Sequence, residues 1–228
     1  ETILTGTEGC FACPTHCKRV VAVQGPWTFD PRYGGPEFES IAALGSNCGV
    51  GDLATVCKAN EMCDAYGLDT ISTGVTVAFA MECYERRLLT TDETGGIELH
   101  FGNGEALLQV IEAIAERRGI GRLLGEGVMR AATTIGQGSE AFALHGRGLE
   151  FPMHEPRAKG MLGLSYALSP IGADHVVVEH DTDFDFRAPQ IYIDQVKPLG
   201  LLERLPTESM AAEKVRMFHY LQHHFSFH

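Results

Sequence analysis

The chain has 228 residues, which is enough to bury the core of one large domain or two small ones. Its 30 acidic and 18 basic side chains give a formal net charge of −12, which argues against a protein that binds nucleic-acid phosphates. Apolar residues make up 44% of the sequence, and no apolar run reaches the roughly 18 residues of a membrane span. The composition therefore predicts a globular, cytoplasmic protein.

The first part of the sequence predicts a loop followed by helices. Residues 1–36 are loop-like, with one short strand over residues 20–23. Apolar residues recur at helical spacing from Glu37, and a helix over about residues 70–88 follows Gly67 and a candidate N-cap, Asp69. A turn-rich connection over residues 90–104 precedes an amphipathic helix from Ala106 and a further helix over residues 120–135.

The second part begins after a glycine-rich segment around residues 136–148, where we place a domain boundary near residue 145. The pattern then predicts an extended segment at residues 149–152, a helix over residues 159–168, an acidic loop at residues 180–185 and a last helix over residues 207–224. The expected architecture is mainly α, with one helical domain over residues 1–145 and another over residues 146–228.

Three closely spaced cysteines are the sharpest chemical feature of the sequence. Cys10, Cys13 and Cys17 have the spacing C-x2-C-x3-C, which allows one loop to supply three thiolates to a metal site. Iron–sulfur clusters and zinc both accept such ligands, and His16 is a candidate nitrogen ligand for zinc, so the spacing leaves the metal open. The other four cysteines fall in patterns that predict helices, and seven thiols are better explained as reduced than as a disulfide framework.

Two further features are candidates for ligand binding or proton transfer. The segment from Asp64 to Asp69 reads D-x-x-G-L-D between two predicted helices, where it serves either as a capped corner or as a polar ligand site. Glu37, Glu39 and His175 supply carboxylates and an imidazole, and a carboxylate with an imidazole is the usual pair for moving protons near neutral pH. Each of these features alone also suits an ordinary structural role.

Taken together, the motifs resemble the tungsten-containing aldehyde:ferredoxin oxidoreductase family, which includes the active subunit of class II benzoyl-CoA reductases. The matching stretches follow the family order after the three cysteines. They are Gly-Pro-Glu-Phe-Glu-Ser-Ile-Ala-Ala-Leu-Gly at 35–45, Asp-Ala-Tyr-Gly-Leu-Asp-Thr-Ile-Ser-Thr-Gly at 64–74, Ala-Met-Glu-Cys-Tyr-Glu at 80–85, Glu-Pro-Arg-Ala-Lys-Gly-Met at 155–161 and Ser-Pro-Ile-Gly-Ala-Asp-His at 169–175.

The resemblance implies domains 2 and 3 of that multihelical fold and a role for each motif. The cysteines would bind a 4Fe–4S cluster, the D-x-x-G-L-D motif would contact one of two pterins that hold tungsten or molybdenum, and the glutamate and histidine would lie near the metal. The residues that inherit these roles are Cys10, Cys13 and Cys17 for the cluster, Asp64, Leu68 and Asp69 for the pterin, and Glu39 and His175 for the chemistry.

The implied reaction interconverts aldehydes and carboxylic acids or reduces an activated acid, with electrons passing through the cluster to ferredoxin or an electron-transfer subunit. Tyrosine is common in the family at the position of Phe38, and some relatives carry a pocket tyrosine at the position of His154. Both departures favour the runner-up, a reductase of aromatic acyl-CoA thioesters. The alternative from another class is a non-catalytic zinc module for protein contacts, with Cys10, Cys13, Cys17 and His16 or a distal residue as ligands.

The resemblance also implies that further parts of the enzyme lie outside this sequence. The family has a β-rich N-terminal domain beneath the pterins, and a second D-x-x-G-L-C motif supplies the other pterin contact and the fourth cluster cysteine. Neither has a counterpart in the 228 residues. We therefore expect an enzyme fragment that is inactive alone.

Overall fold

A computed structural model describes residues 3–23, 25–201 and 203–225. The chain divides into two compact units, residues 1–144 and residues 145–228. Both are mainly helical, as predicted, and the strands in the described residues form two small antiparallel pairs. No helix within the described ranges is both long and apolar enough to cross a membrane.

The first unit starts with a hairpin and continues with helices. Strand β1 (Leu4–Glu8) pairs with β2 (Lys18–Val21), with Thr7 opposite Arg19 and Glu8 opposite Lys18. The helices are α1 (Phe38–Ile41), α2 (Leu53–Tyr66), α3 (Thr70–Glu85), α4 (Gly104–Ala115), α5 (Gly121–Leu124) and α6 (Val128–Ile135). A π-helical segment, Ala42–Ser46, continues α1 without a break.

Helix α3 is the centre of the first unit. Residues 73–81 of this helix are all buried, so it lacks the polar stripe of a surface helix. Gly74 permits a close crossing with the π-helical segment, because a Cβ at this position would lie 2.5 Å from the carbonyl carbon of Ala43. The main core cluster gathers apolar side chains from α2, α3, α4 and α6 around this helix.

The second unit contains β3 (His145–Gly146), β4 (Leu149–Glu150), α7 (Gly160–Leu168), α8 (Gln190–Val196) and α9 (Ala212–Phe225). Helices α7 and α9 pack against each other around Met161, Met217 and Leu221. Asp181 reaches the start of α7, where its carboxylate accepts the backbone N–H groups of Met161 and Leu162 at 3.1 Å each. The ammonium of Lys214 on α9 also binds this carboxylate, and both side chains are fully buried.

The structure differs from the sequence prediction at several element boundaries. The helix predicted over residues 120–135 is two helices, because Gly127 has a positive φ of 85° that interrupts the chain between them. The last helix begins at Ala212 rather than near residue 207, since Thr207 has its carbonyl bound to the Gly160 N–H at 2.9 Å. Helix α8 was not predicted, and the predicted acidic loop contains a 3-10 turn, Asp181–Phe184.

Candidate redox site

The three clustered cysteines lie on the loop that joins β1 to β2. Cys10 and Cys17 are exposed and Cys13 is partly exposed. The Cys13 N–H donates to the Cys10 carbonyl at 3.0 Å, and Ala12 and His16 have positive φ angles of 59° and 50°. This tight backbone presents the three thiols on one short loop.

The chemistry of this loop suits a thiolate metal site. Hydrogen bonds from the backbone N–H and the side chain of Thr15 lower the pKa of the Cys13 thiol below its usual value, which favours the ligand form. Gly9 is needed for the fold of the loop, because a Cβ there would lie 2.8 Å from the Cys13 carbonyl oxygen. The donor set therefore fits an iron–sulfur cluster or zinc, and His16, which is exposed on the same loop, leaves the zinc alternative open.

The remaining cysteines are in a different environment, since all four are fully buried. Cys57 lies in α2, whereas Cys48 lies in a turn after the π-helical segment and not in a helix as predicted. Burial opposes the thiolate form, which is the form that binds metals. It raises the pKa values to about 11 for Cys57 and to about 12 for Cys48, Cys63 and Cys83. Their burial makes these four thiols poor candidates for a further metal ligand.

The D-x-x-G-L-D segment forms the corner between α2 and α3. Gly67 ends α2 in the left-handed conformation, with φ 68° and ψ 36°, and Asp69 caps α3 by accepting the Ser72 N–H at 2.7 Å. Leu68 is partly buried against the main core. Asp64 is exposed as a residue, but its carboxyl group is partly buried. This burial raises the pKa of Asp64 above its usual value, although a hydrogen bond from Asn60 acts in the opposite direction. The capping role of Asp69 is thus visible, and contact of Asp64, Leu68 and Asp69 with a pterin stays a prediction.

Glu39 lies in the first turn of α1, where it is half-buried. The hydroxyl oxygens of Ser40 and Thr70 are 2.9 Å apart and connect α1 to α3. Glu37 is instead on the surface, in an ion pair with Arg19 at 2.6 Å. The π-helical turn that follows Glu39 is the kind of irregularity that often accompanies functional residues.

The second unit brings three histidines and a lysine together. The ring centroids of His154 and His175 are 5.3 Å apart, and those of His154 and His180 are 4.6 Å apart. Lys159 has its Nζ 3.1 Å from Nδ1 of His154 and 3.0 Å from Nδ1 of His180. Burial and the adjacent Lys159 charge lower the pKa of His154 to about 4 and also lower the pKa of His180. We call His154, Lys159, His175 and His180 the histidine cluster.

The sequence identified only part of the histidine cluster. His175 was a candidate from its motif and His154 from its departure from tyrosine, whereas Lys159 and His180 were not singled out. Lys159 lies within the family-like stretch at 155–161, but His180 is 21 residues further along the chain. No local spacing pattern predicts contact at that separation, since it arises from the packing of the segment around Asp181 onto α7.

These observations define a mainly α-helical protein that presents three thiols on one exposed loop and a histidine cluster in its second unit. The chain belongs to the aldehyde ferredoxin oxidoreductase family, because the family's domains 2 and 3 match residues 1–228. This membership places the chain among oxidoreductases and argues against the non-catalytic zinc module.

Individual relatives agree with this assignment. The tungsten-containing aldehyde ferredoxin oxidoreductase of Thermococcus kodakarensis is 38% identical over 218 residues, which cover 94% of this chain and 32% of the relative. The enzyme of the same name from Pyrococcus furiosus is 41% identical over 177 residues, which cover 76% of this chain and 28% of the relative. The chain therefore spans about a third of the length of these relatives.

A solved structure shares the fold. The active-site complex BamBC of benzoyl coenzyme A reductase, bound to 1,5-dienoyl-CoA, matches with a TM-score of 0.61 and 24% identity, over 78% of this chain and 26% of that chain. At this identity the likeness supports the predicted multihelical fold and carries no conclusion about substrate. The acyl-CoA reductase alternative stays a prediction.

Proposed function

We propose that the chain forms domains 2 and 3 of a tungsten enzyme that oxidises aldehydes to carboxylic acids and passes the electrons to ferredoxin. One observation carries the proposal. In a chain of this family, Cys10, Cys13 and Cys17 are accessible on one loop while the other four cysteines are buried. The reverse reaction, reduction of an activated acid, uses the same groups in the opposite direction.

The residues divide into those that hold cofactors and those that act on substrate. Cys10, Cys13 and Cys17 would hold a 4Fe–4S cluster, and the corner at residues 64–69 would hold a pterin. The tungsten centre would supply the two-electron oxidation, and the cluster would pass electrons on one at a time.

Glu39 and His175 would handle protons and hydrogen bonds. Oxidation of an aldehyde adds a water oxygen to the carbonyl carbon and releases protons, so a general base near the reacting water accelerates the step. Glu39 would take that proton, and the His175 imidazole would donate a hydrogen bond to the carbonyl oxygen as negative charge develops on it. His154 stands where some relatives carry a pocket tyrosine, and it adds a second imidazole beside His175.

The first experiment measures metals in the intact protein that contains this chain, purified without oxygen. We expect tungsten and about four irons and four sulfides for each chain, the composition of a cubane cluster. Cys13→Ser should lose iron and sulfide without losing helical content, whereas the matched variant Cys57→Ala at a buried thiol should retain both. Stoichiometric zinc, or iron retained in Cys13→Ser, would contradict the cluster assignment.

A second experiment tests the roles of Glu39 and His175 by turnover of simple aldehydes and benzoyl-CoA. We expect Glu39→Gln and His175→Asn each to lower aldehyde turnover by at least about a hundredfold, the usual contribution of a positioned acid or base. Glu37→Gln is the control, because the Glu37 side chain is exposed and forms a surface ion pair with Arg19. Unchanged turnover in both variants would refute these roles, and turnover of benzoyl-CoA alone would favour the acyl-CoA reductase.

A further inference from the structure

The second unit contains a cavity of about 420 Å³ at the edge of its main core. This volume is in the range of small-molecule binding sites. Three parts of the unit line the cavity, namely the segment around the 3-10 turn Asp181–Phe184, helix α8 with the residues that follow it, and α9. The lining side chains used below are Glu179, Phe184, Tyr192, Val196 and Leu221.

The wall of the cavity is largely apolar and is held in place by the fold. Phe184, Val196 and Leu221 are buried members of the main core of this unit. Because these side chains are already packed, a ligand loses little free energy in ordering them. Tyr192 on α8 adds an aromatic ring that is 41% exposed, which gives the cavity access to solvent.

Glu179 is the acidic group of the cavity. Its carboxyl group interacts with that of Asp183, and this neighbour together with burial raises the pKa of Glu179 to about 7. The surroundings therefore disfavour two ionised carboxylates side by side. No lysine or arginine among the described residues lines the cavity, so a cation brought by a ligand would supply the missing charge. The formal net charge of −12 also favours the approach of cations.

We propose that this cavity binds a small organic cation, with a primary ammonium group beside Glu179 and an apolar body against Phe184 and Leu221. The ammonium N–H groups donate charge-assisted hydrogen bonds to the Glu179 carboxylate. The Tyr192 ring adds apolar contact and attracts a cation through its face. The inference goes beyond the proposed function, since it uses neither tungsten nor the cluster nor turnover.

The test is isothermal titration calorimetry of the intact protein that contains this chain, with phenethylamine as the probe at about pH 8. The amine is then a cation, and Glu179 is mostly ionised because the pH lies above its pKa of about 7. We expect saturable binding at one site in each chain. Absence of binding would overturn the proposal, and this includes the case in which another part of the intact protein fills the cavity.

Three analogues test the class of ligand. Phenethyl alcohol keeps the ring and loses the charge, so it should bind at least about tenfold more weakly, the scale of one charge-assisted hydrogen bond. Methylammonium keeps the charge and loses the ring, and its affinity should fall at least as much. Hydrocinnamate, an anion of similar size, should bind more weakly than the alcohol. Equal or tighter binding of any of the three than of phenethylamine would overturn the assignment of an amphipathic cation.

A charge variant tests the position of the ammonium group. Glu179→Gln keeps the shape of the side chain, so the affinity for phenethylamine should fall about tenfold while the affinity for phenethyl alcohol is unchanged. Glu213→Gln is the matched control, because Glu213 is an exposed acid of α9 outside the lining of the cavity. Equal losses of phenethylamine affinity in the two variants would overturn the placement at Glu179.

A second variant tests the wall and does not depend on the charge. Tyr192→Ala removes the aromatic ring at an exposed position, and the affinities for phenethylamine and phenethyl alcohol should both fall about threefold or more. Tyr220→Ala is the control at a tyrosine that is 37% exposed and lies outside the lining. Unchanged affinities in Tyr192→Ala, or equal losses in both variants, would overturn the location of the ligand in this cavity.

Discussion

The buried pair between Lys214 and Asp181 is expected to be the most sensitive polar contact of the second unit. The side chains are 1% and 0% exposed, and the Asp181 carboxylate also accepts two backbone N–H groups from the start of α7. Replacing Lys214 by methionine keeps most of the side-chain volume but leaves a buried carboxylate without its counter-charge. Loss of one partner of a buried pair typically costs about 3–5 kcal/mol, a large share of the stability of an ordinary domain.

An exposed pair in the same unit provides the matched control. Lys197 and Asp194 form an ion pair of 2.5 Å in which both side chains are 51% exposed. Solvent screening limits such pairs to about 0–1 kcal/mol, so Lys197→Met should be nearly neutral. Both variants replace a lysine by methionine, and the two lysines differ in burial.

The assay is urea unfolding followed by circular dichroism, combined with hydrogen exchange over α7. We expect Lys214→Met to shift the unfolding midpoint strongly and to speed exchange at the first turn of α7. The double variant Lys214→Met with Asp181→Asn removes both charges, and its cost should be smaller than the sum of the single costs by about 2 kcal/mol or more. Equal effects of Lys214→Met and Lys197→Met, or simple additivity in the double variant, would refute the reasoning.

Three further predictions concern packing, thiol reactivity and pH. Gly74→Ala should lower the melting temperature, because overpacking of this kind costs about 1–3 kcal/mol, while Gly51→Ala, which has no atoms within 4 Å of the added Cβ, should not. In the chain without a cluster, iodoacetamide should modify Cys10, Cys13 and Cys17 quickly and the four buried cysteines only on unfolding. Peptide mass spectrometry measures the modification at each cysteine. Burial and Asp183 raise the pKa of Glu179 to about 7, so the native state binds more protons than the unfolded state between the usual value of 4.5 and about 7. The free energy of unfolding should therefore fall as pH rises through that window. In Glu179→Gln the urea midpoint should fall less with pH than in the unaltered chain. An equal pH dependence of the midpoint in the variant would contradict this cause.

The helices were predictable where the local sequence carries both a period and a boundary signal. Asp69 and Gly67 mark the start of α3 and the end of α2, and the structure has both, with the expected cap and left-handed conformation. Helix α4 agrees with its amphipathic pattern, because one face packs on the core and the other is exposed. Such features depend on residues within a few positions of each other, and a single sequence contains them.

Long-range contacts were not predictable in the same way. The sequence predicts only an acidic loop at residues 180–185. In the structure Asp181 is fully buried, because Lys214, 33 residues away, and the start of α7 compensate its charge. The predicted start of α9 was wrong for a related reason. The carbonyl of Thr207 accepts a hydrogen bond from the Gly160 N–H instead of one within a helix. In both cases a distant partner changed what the local pattern indicated.

The stability of the second unit and the chemistry of its histidine cluster depend on the same residue. Asp181 binds the first turn of α7 and the Lys214 ammonium, and its chain neighbour His180 accepts a hydrogen bond from Lys159, the residue before α7. Weakening the Lys214 contact should therefore loosen the start of α7 and separate Lys159 from His180. A purely structural pair would change unfolding alone. If the contact network is as described, histidine tautomers in Lys214→Met should become mixed under conditions where the chain is still folded, because the donor to Nδ1 of His180 is no longer held in place.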